Sequence, residues 1–72
     1  MNTSLNILDV VAPTEDLPDH GLYRGQVGAV VEDLAPNVFE VEFSDDEGHT
    51  YATLGLRAGQ LMVLHHRPIE VA

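Results

Sequence analysis

The sequence contains no cysteine. A disulfide framework and a thiolate zinc site, which hold many domains of this size together, are therefore excluded. A chain of 72 residues makes one domain at most and lies near the lower limit for independent folding. The domain is predicted to cover residues 1–72, with its core over residues 5–67. Because no disulfide or thiolate metal site can stabilise the fold, oligomerisation or a partner protein is favoured as an added source of stability.

Lysine is also absent, and three arginines stand against twelve acidic residues, which gives a formal net charge of −9. Proteins that bind nucleic acid neutralise its phosphates with clustered Lys and Arg. The charge therefore predicts repulsion from DNA, RNA and anionic lipid, and attraction to a basic protein partner. Acidity of this kind also simply keeps a small protein soluble, and for the charge alone that interpretation is favoured.

Long apolar runs are missing as well. No run reaches the roughly 20 residues that a helix needs to cross a bilayer. Residues 1–4 lack the basic region of a signal peptide, and Asn6 and Asp9 interrupt the apolar stretch that follows. These features predict a soluble cytoplasmic protein with no membrane partner.

The chain does contain a series of short β-branched or alternating segments, separated by Gly, Pro, Asn and Asp. Alternation is clearest where Phe39, Val41 and Phe43 share one face of a strand, which predicts that this face is buried. The pattern predicts five antiparallel strands, over residues 6–12, 28–34, 38–43, 49–54 and 61–65.

The connections between these strands differ in length. Residues 14–28 predict a long loop, rich in Pro and Gly, that Leu17 and Leu22 pin to the core. Short connections are predicted as turns at residues 35–37 and 44–48 and as a 3₁₀ turn at residues 55–60. Together these features predict an all-β fold, a small SH3-like barrel, since a curled sheet buries its inner face without a second layer.

Two motifs carry a family resemblance: residues 17–28, with the sequence LPDHGLYRGQVG, and residues 38–45, with the sequence VFEVEFSD. Together with Thr50-Tyr51-Ala52 they resemble the bacterial family catalogued as domain of unknown function 4926, over roughly residues 5–68. The resemblance implies a small bacterial protein that stands alone. It implies no activity, so no catalytic residue is transferred from it.

Three consecutive acidic residues, Asp45, Asp46 and Glu47, form a predicted acidic turn. They lack the alternating spacing of a calcium loop, and Asp and Gly are common turn formers. A solvated turn is therefore the favoured interpretation. The functional alternative is contact with a basic cluster on a partner protein.

The histidines and the paired carboxylates offer weaker candidate sites. His65 and His66 are adjacent, so on a strand they point to opposite faces and do not readily share one metal. His49 could share a metal with one of them if strands four and five lay side by side, but a third spaced ligand is missing. Glu40 and Glu42 share a strand face that is predicted to be an open polar stripe rather than an acid–base pair. The sequence therefore predicts no metal, no cofactor and no catalytic activity.

Tyr23, Arg24 and Tyr51 are the best candidates for a recognition surface, because aromatic residues and arginine anchor many interfaces. The alternative for Tyr23 is a ring that covers the mouth of the barrel. The predicted function is protein–protein recognition of a basic partner by the long loop and the acidic turn, in an antitoxin-like or immunity-like form. The competing prediction is a structural protein that assembles as a homo-oligomer through an exposed sheet edge.

Overall fold

The computed structural model describes residues 5–69, so residues 1–4 and 70–72 of the predicted domain, and the signal-peptide expectation, lie outside the described residues. The all-β prediction is confirmed for the described part. Its strands are β1 (Val10–Pro13), β2 (Gly28–Ala35), β3 (Val38–Ser44), β4 (Thr50–Arg57) and β5 (Leu61–Val63), with 3₁₀ turns at Pro18–His20 and Ala58–Gln60. No helix in this part of the chain has the length and apolar character needed to cross a membrane.

All five strands form one antiparallel sheet in the order β4-β3-β2-β1-β5. The sheet is open, because its edges β4 and β5 are not paired within residues 5–69. The predicted closed barrel is therefore not confirmed, and β5, with three residues, offers little length for such pairing. The chain nevertheless passes from one edge to the other through Ala58–Gln60 alone, so the sheet must curl until its edges approach each other there.

The first strand is shorter than the sequence predicts, since it begins at Val10 rather than at residue 6. Leu8 has a positive φ of 78°. Its amide donates to the Val30 carbonyl at 2.7 Å, and the Val30 amide donates to the Asp9 carbonyl at 3.0 Å. Leu8 and Asp9 thus both lie opposite Val30, which is the arrangement of a β-bulge. The Asp9 carboxylate also accepts the Asn6 amide at 2.9 Å, so a turn replaces the predicted start of the strand.

The last two strands also differ from the predicted boundaries. β4 continues to Arg57 instead of ending at residue 54, because residues 55–57 extend the pairing with β3. This shortens the predicted 3₁₀ turn to Ala58–Gln60. β5 ends at Val63 rather than at residue 65. The two adjacent histidines therefore follow the strand instead of belonging to it.

The core lies on the inner face of the curled sheet. The alternation along β3 is confirmed, since Phe39, Val41 and Phe43 are buried there. Leu17 and Leu22 reach the same core from the long loop, as predicted. The buried cluster consists of Val11, Leu17, Leu22, Val30, Phe39, Val41, Phe43, Leu56 and Leu61.

Gly28 leaves room beside β2 for two buried side chains of β3. A Cβ atom at this buried position would lie 2.8 Å from Phe43 Cδ1 and 2.8 Å from Val41 Cγ1, which is far inside van der Waals contact. Phe43 and Val41 are both fully buried, so neither side chain has free space to move into. Any side chain larger than that of glycine must therefore displace Phe43 and Val41 from their packed positions.

We predict that Gly28→Ala lowers the free energy of unfolding by about 1–3 kcal/mol, because it overpacks the core. Gly59→Ala is the matched control, since a Cβ there meets nothing within 4 Å. We expect the control to change the stability by no more than about 0.5 kcal/mol. Urea unfolding of both variants measures the difference. Equal stabilities of the two variants would show that the side chains of Phe43 and Val41 do not pack against Gly28.

Candidate functional site

The long loop between β1 and β2 is an ordered part of the fold. The Leu17 amide donates to the Leu22 carbonyl at 2.9 Å, and the Leu22 amide donates back at 3.1 Å. The 3₁₀ turn Pro18–His20 lies between these residues, and Gly21 ends it with a positive φ of 70°. Because both leucine side chains are buried, the loop is held from the inside.

Gln26 ties this loop to β4. Its Oε1 accepts a hydrogen bond from the Tyr23 amide, and its Nε2 donates to the Tyr51 hydroxyl at 2.8 Å. We call Tyr23, Gln26 and Tyr51 the tyrosine surface. Sequence reasoning missed Gln26, because a single polar residue in a loop carries no pattern that separates it from its solvated neighbours.

A β-bulge in β4 sets the position of Tyr51. Phe43 pairs with Ala52 while Ser44 pairs with Thr50, so Tyr51 is the extra residue on β4. Its ring centroid lies 6.5 Å from that of Phe43, with the rings tilted by 37°. The bulge therefore allows one side chain to pack beside the core and still present its hydroxyl to Gln26.

The structure brings two of the predicted recognition residues, Tyr23 and Tyr51, to one surface. Tyr23 is 73% exposed and Tyr51 is 49% exposed. The Tyr23 ring is thus largely open to solvent instead of being packed over the core. The third predicted residue, Arg24, is exposed beside it, and its amide donates to Asp16 Oδ1 at 2.8 Å. All three side chains are accessible to a partner.

The three carboxylates of the acidic turn have two different roles. Asp45 Oδ1 accepts the amides of Glu47 and His49, each at 2.9 Å, and the Asp45 carbonyl accepts the Gly48 amide at 3.0 Å. Gly48 has the positive φ that the turn requires. The Asp45 side chain therefore holds the shape of the turn. The side chains of Asp46 and Glu47 are exposed to solvent.

His49 lies against the acidic turn. Its Nδ1 is 3.5 Å from Asp45 Oδ2 and 3.7 Å from Glu47 Oε1. These three residues offer metal-ligating atoms within 4.8 Å of one another, but all three are exposed, and exposed groups of this kind are common without an ion. His65 and His66 lie elsewhere, in a groove that Leu5, Asn6 and residues 8–10 also line. β4 and β5 are not paired with each other in the described part of the chain, so a metal shared by His49 and one of these histidines is not supported.

Negative charge also covers the outward face of the sheet. Glu40 and Glu42 alternate with the buried residues of β3, and Glu32 on β2 lies directly opposite Glu40. Like charges in this position repel each other. Within residues 5–69 the ion pairs closer than 4 Å are those that His49 makes, so the arginines do not neutralise this surface.

We predict an energetic coupling between Gln26 and Tyr51. Gln26→Ala and Tyr51→Phe should each lower the free energy of unfolding by about 0.5–1.5 kcal/mol, since each removes a side-chain hydrogen bond. The double variant should lose less than the sum of the two, because both changes remove the same bond. Urea unfolding of the four proteins measures the coupling. Strict additivity would contradict the contact.

We predict that Asp45→Ala lowers the thermal unfolding temperature, with a loss of about 1 kcal/mol, because two turn amides lose their acceptor. Asp45→Asn should retain most of the stability, since its Oδ1 can accept the same bonds. Asp46→Ala serves as the control at an exposed neighbour and should be nearly neutral. If both alanine variants unfolded at the same temperature, the Asp45 carboxylate would not hold the turn.

Comparison with known proteins gives one match. The family model described as Domain of unknown function (DUF4926) matches residues 7–63. This match covers most of the chain and confirms the resemblance that the sequence motifs carry. No curated protein and no solved structure matches the chain.

Proposed function

The chain belongs to the family Domain of unknown function (DUF4926), and because that family has no assigned activity we propose from the structure that the protein is a non-catalytic module that recognises a basic protein partner. The proposed contact surface combines the tyrosine surface, Arg24 and the acidic turn. The observation that carries this proposal is the link through Gln26, which holds two exposed tyrosines at fixed positions on an acidic domain.

The tyrosine surface has the properties of an interface anchor. Tyrosine offers a large apolar ring and a polar hydroxyl with only two side-chain torsions to restrict, so it loses little entropy on binding. Tyr23 is already held through its amide and Tyr51 through its hydroxyl. A partner therefore meets a surface that needs little ordering, which favours affinity.

The charge distribution supports a basic partner. Twelve acidic residues stand against three basic ones, and in the described part only His49 lies within 4 Å of a carboxylate as an ion-pair partner. The unneutralised field would speed encounter with a positively charged protein and would slow encounter with nucleic acid or anionic lipid. Neutralisation of a basic effector, in the manner of an antitoxin or an immunity protein, is the specific form that we propose.

The surroundings of the polar groups favour recognition over catalysis. Within residues 5–69 no polar or charged side chain is buried. Catalytic acids and bases are commonly tuned by burial in a cleft, whereas recognition surfaces work with exposed charges. The half-buried Glu40 and Glu42 lie on an open sheet face rather than in a pocket.

The finer fold belongs to the same proposal. We infer an SH3-like barrel from the order of the strands, the long first loop and the 3₁₀ turn that joins the two edges. In such a barrel the long loop lies beside the strand that carries Tyr51, which agrees with the hydrogen bond from Gln26. The curl of the sheet would then place the loop and the acidic turn within reach of one partner.

A homo-oligomer through β4 is the second candidate. β4 is an edge strand of eight residues, and Arg57 at its end is its only charged residue. Natural edge strands are usually protected by charge, proline or short length, as β5 is by its three residues. Against this candidate stands the repulsion between two copies that each carry a net charge of −9.

A pull-down from the organism that encodes the protein tests the proposal. The native protein is compared with the triple variant Asp45→Asn, Asp46→Asn and Glu47→Gln, which removes three charges and keeps the acceptor that holds the turn. We expect a basic protein to be captured by the native protein and lost by the variant, because the turn charges contribute to the contact.

The matched control for this pull-down is Glu32→Gln with Glu40→Gln and Glu42→Gln, which removes the same number of charges from the outward face. This control should retain the partner. Loss of capture in both variants would show that only the total charge matters. Recovery of nothing but the protein itself, together with a dimer that persists at high salt, would replace the recognition module with the homo-oligomer.

A further inference from the structure

A cleft of about 330 Å³ opens in the long loop, lined by Asp16, Pro18, Gly21, Leu22 and Tyr23. We propose that this cleft binds an arginine side chain of the protein partner, an inference that rests on the proposed function. Ligand sites commonly span about 300–1,000 Å³. A cleft at the lower end of this range suits one long side chain rather than a whole cofactor.

The walls of the cleft suit the aliphatic part of an arginine. Leu22 is 2% exposed and anchors this side of the loop in the core, so the exposed Pro18 and Tyr23 present apolar surface to the cleft. Pro18 begins the 3₁₀ turn, and a Cβ at Gly21 would meet nothing within 4 Å, so this glycine leaves the cleft open. Apolar walls of this kind pack against the methylene groups of long basic side chains while the charged end stays near water.

Asp16 supplies the negative charge of the cleft and is the only carboxylate that lines it. Its Oδ1 accepts the Arg24 amide at 2.8 Å, which fixes the orientation of the carboxylate. Its second oxygen, Oδ2, can accept a hydrogen bond from a guanidinium. Hydrogen bonds between two charged groups are stronger than those between neutral groups.

Tyr23 supplies an aromatic face for the same cation. Its ring is 73% exposed, and its amide is held by the Gln26 side chain. A planar guanidinium stacks on an aromatic ring and sheds water more readily than an ammonium group does, so arginine fits this pairing better than lysine. A metal ion fits less well, because one carboxylate is too small a ligand set for a hard cation.

The probe for this proposal is the tripeptide acetyl-Gly-Arg-Gly-amide, titrated into the ¹⁵N-labelled protein and followed by NMR. We expect the amide signals of Asp16, Leu22 and Tyr23 to shift together. The corresponding peptides with lysine and with neutral citrulline should bind more weakly. Asp16→Asn, which keeps the Oδ1 acceptor for the Arg24 amide, should weaken binding of the arginine peptide about fivefold.

Asp19→Asn is the matched control, because Asp19 lies in the same loop, carries the same charge and does not line the cleft. It should leave the affinity nearly unchanged, whereas Tyr23→Leu should reduce it about threefold. Equal binding of the citrulline peptide, or equal weakening by Asp16→Asn and Asp19→Asn, would overturn the proposal.

The peptide titration and the pull-down together distinguish failure of the cleft proposal from failure of the proposed function. If the arginine peptide leaves the signals of the cleft unchanged while the native protein still captures a basic partner through the acidic turn, the cleft proposal is wrong and the recognition module stands. If the peptide binds as expected and no partner is captured, the arginine pocket is supported and the proposed function is wrong.

Discussion

The packing of the Phe43 ring against Gly28 is the contact on which the rest of the structure depends. Since no Cβ stands at this position, the Phe43 ring packs directly against β2. Tyr51 then packs beside the same ring from β4. A small domain without disulfides has few other means of fixing its strands, so one well-packed aromatic ring determines both the core and the position of an exposed tyrosine.

This arrangement connects the stability of the domain with the proposed recognition surface. The long loop contributes Leu17 and Leu22 to the core on its inner side, and it presents Tyr23 and Asp16 on its outer side. Gln26 joins the loop to the strand that the packing of Phe43 positions. The surface thus gains order from the same contacts that stabilise the domain, and a partner does not have to supply that order.

The sequence predicted those features that depend on local pattern. Alternation along β3 identified the buried face, and the Pro- and Gly-rich loop with two leucines was correctly interpreted as ordered. The bulges at Leu8 and Tyr51 could not be predicted in this way, because a bulge depends on the register between two strands and not on either strand alone.

In the candidate site, too, some features could be predicted from the sequence and others depend on the fold. Tyr23 and Tyr51 stood out by residue type, whereas Gln26 did not, because its importance comes from two partners on separate elements. Asp45, Asp46 and Glu47 were correctly interpreted as a turn, but the sequence did not show that the Asp45 carboxylate alone accepts two of its amides. Residue type indicates what a side chain can do, and the fold decides which of those roles it takes.

Amide hydrogen exchange in the isolated protein tests most directly whether the recognition surface exists before a partner binds. The amides of Leu22, Arg24 and Gly25 donate to the Leu17 carbonyl, the Asp16 carboxylate and the Pro13 carbonyl, respectively. A preformed surface predicts that all three exchange far more slowly than amides of an unstructured chain. Exchange at the unstructured rate would show that the loop is ordered only by its partner and would contradict the central claim.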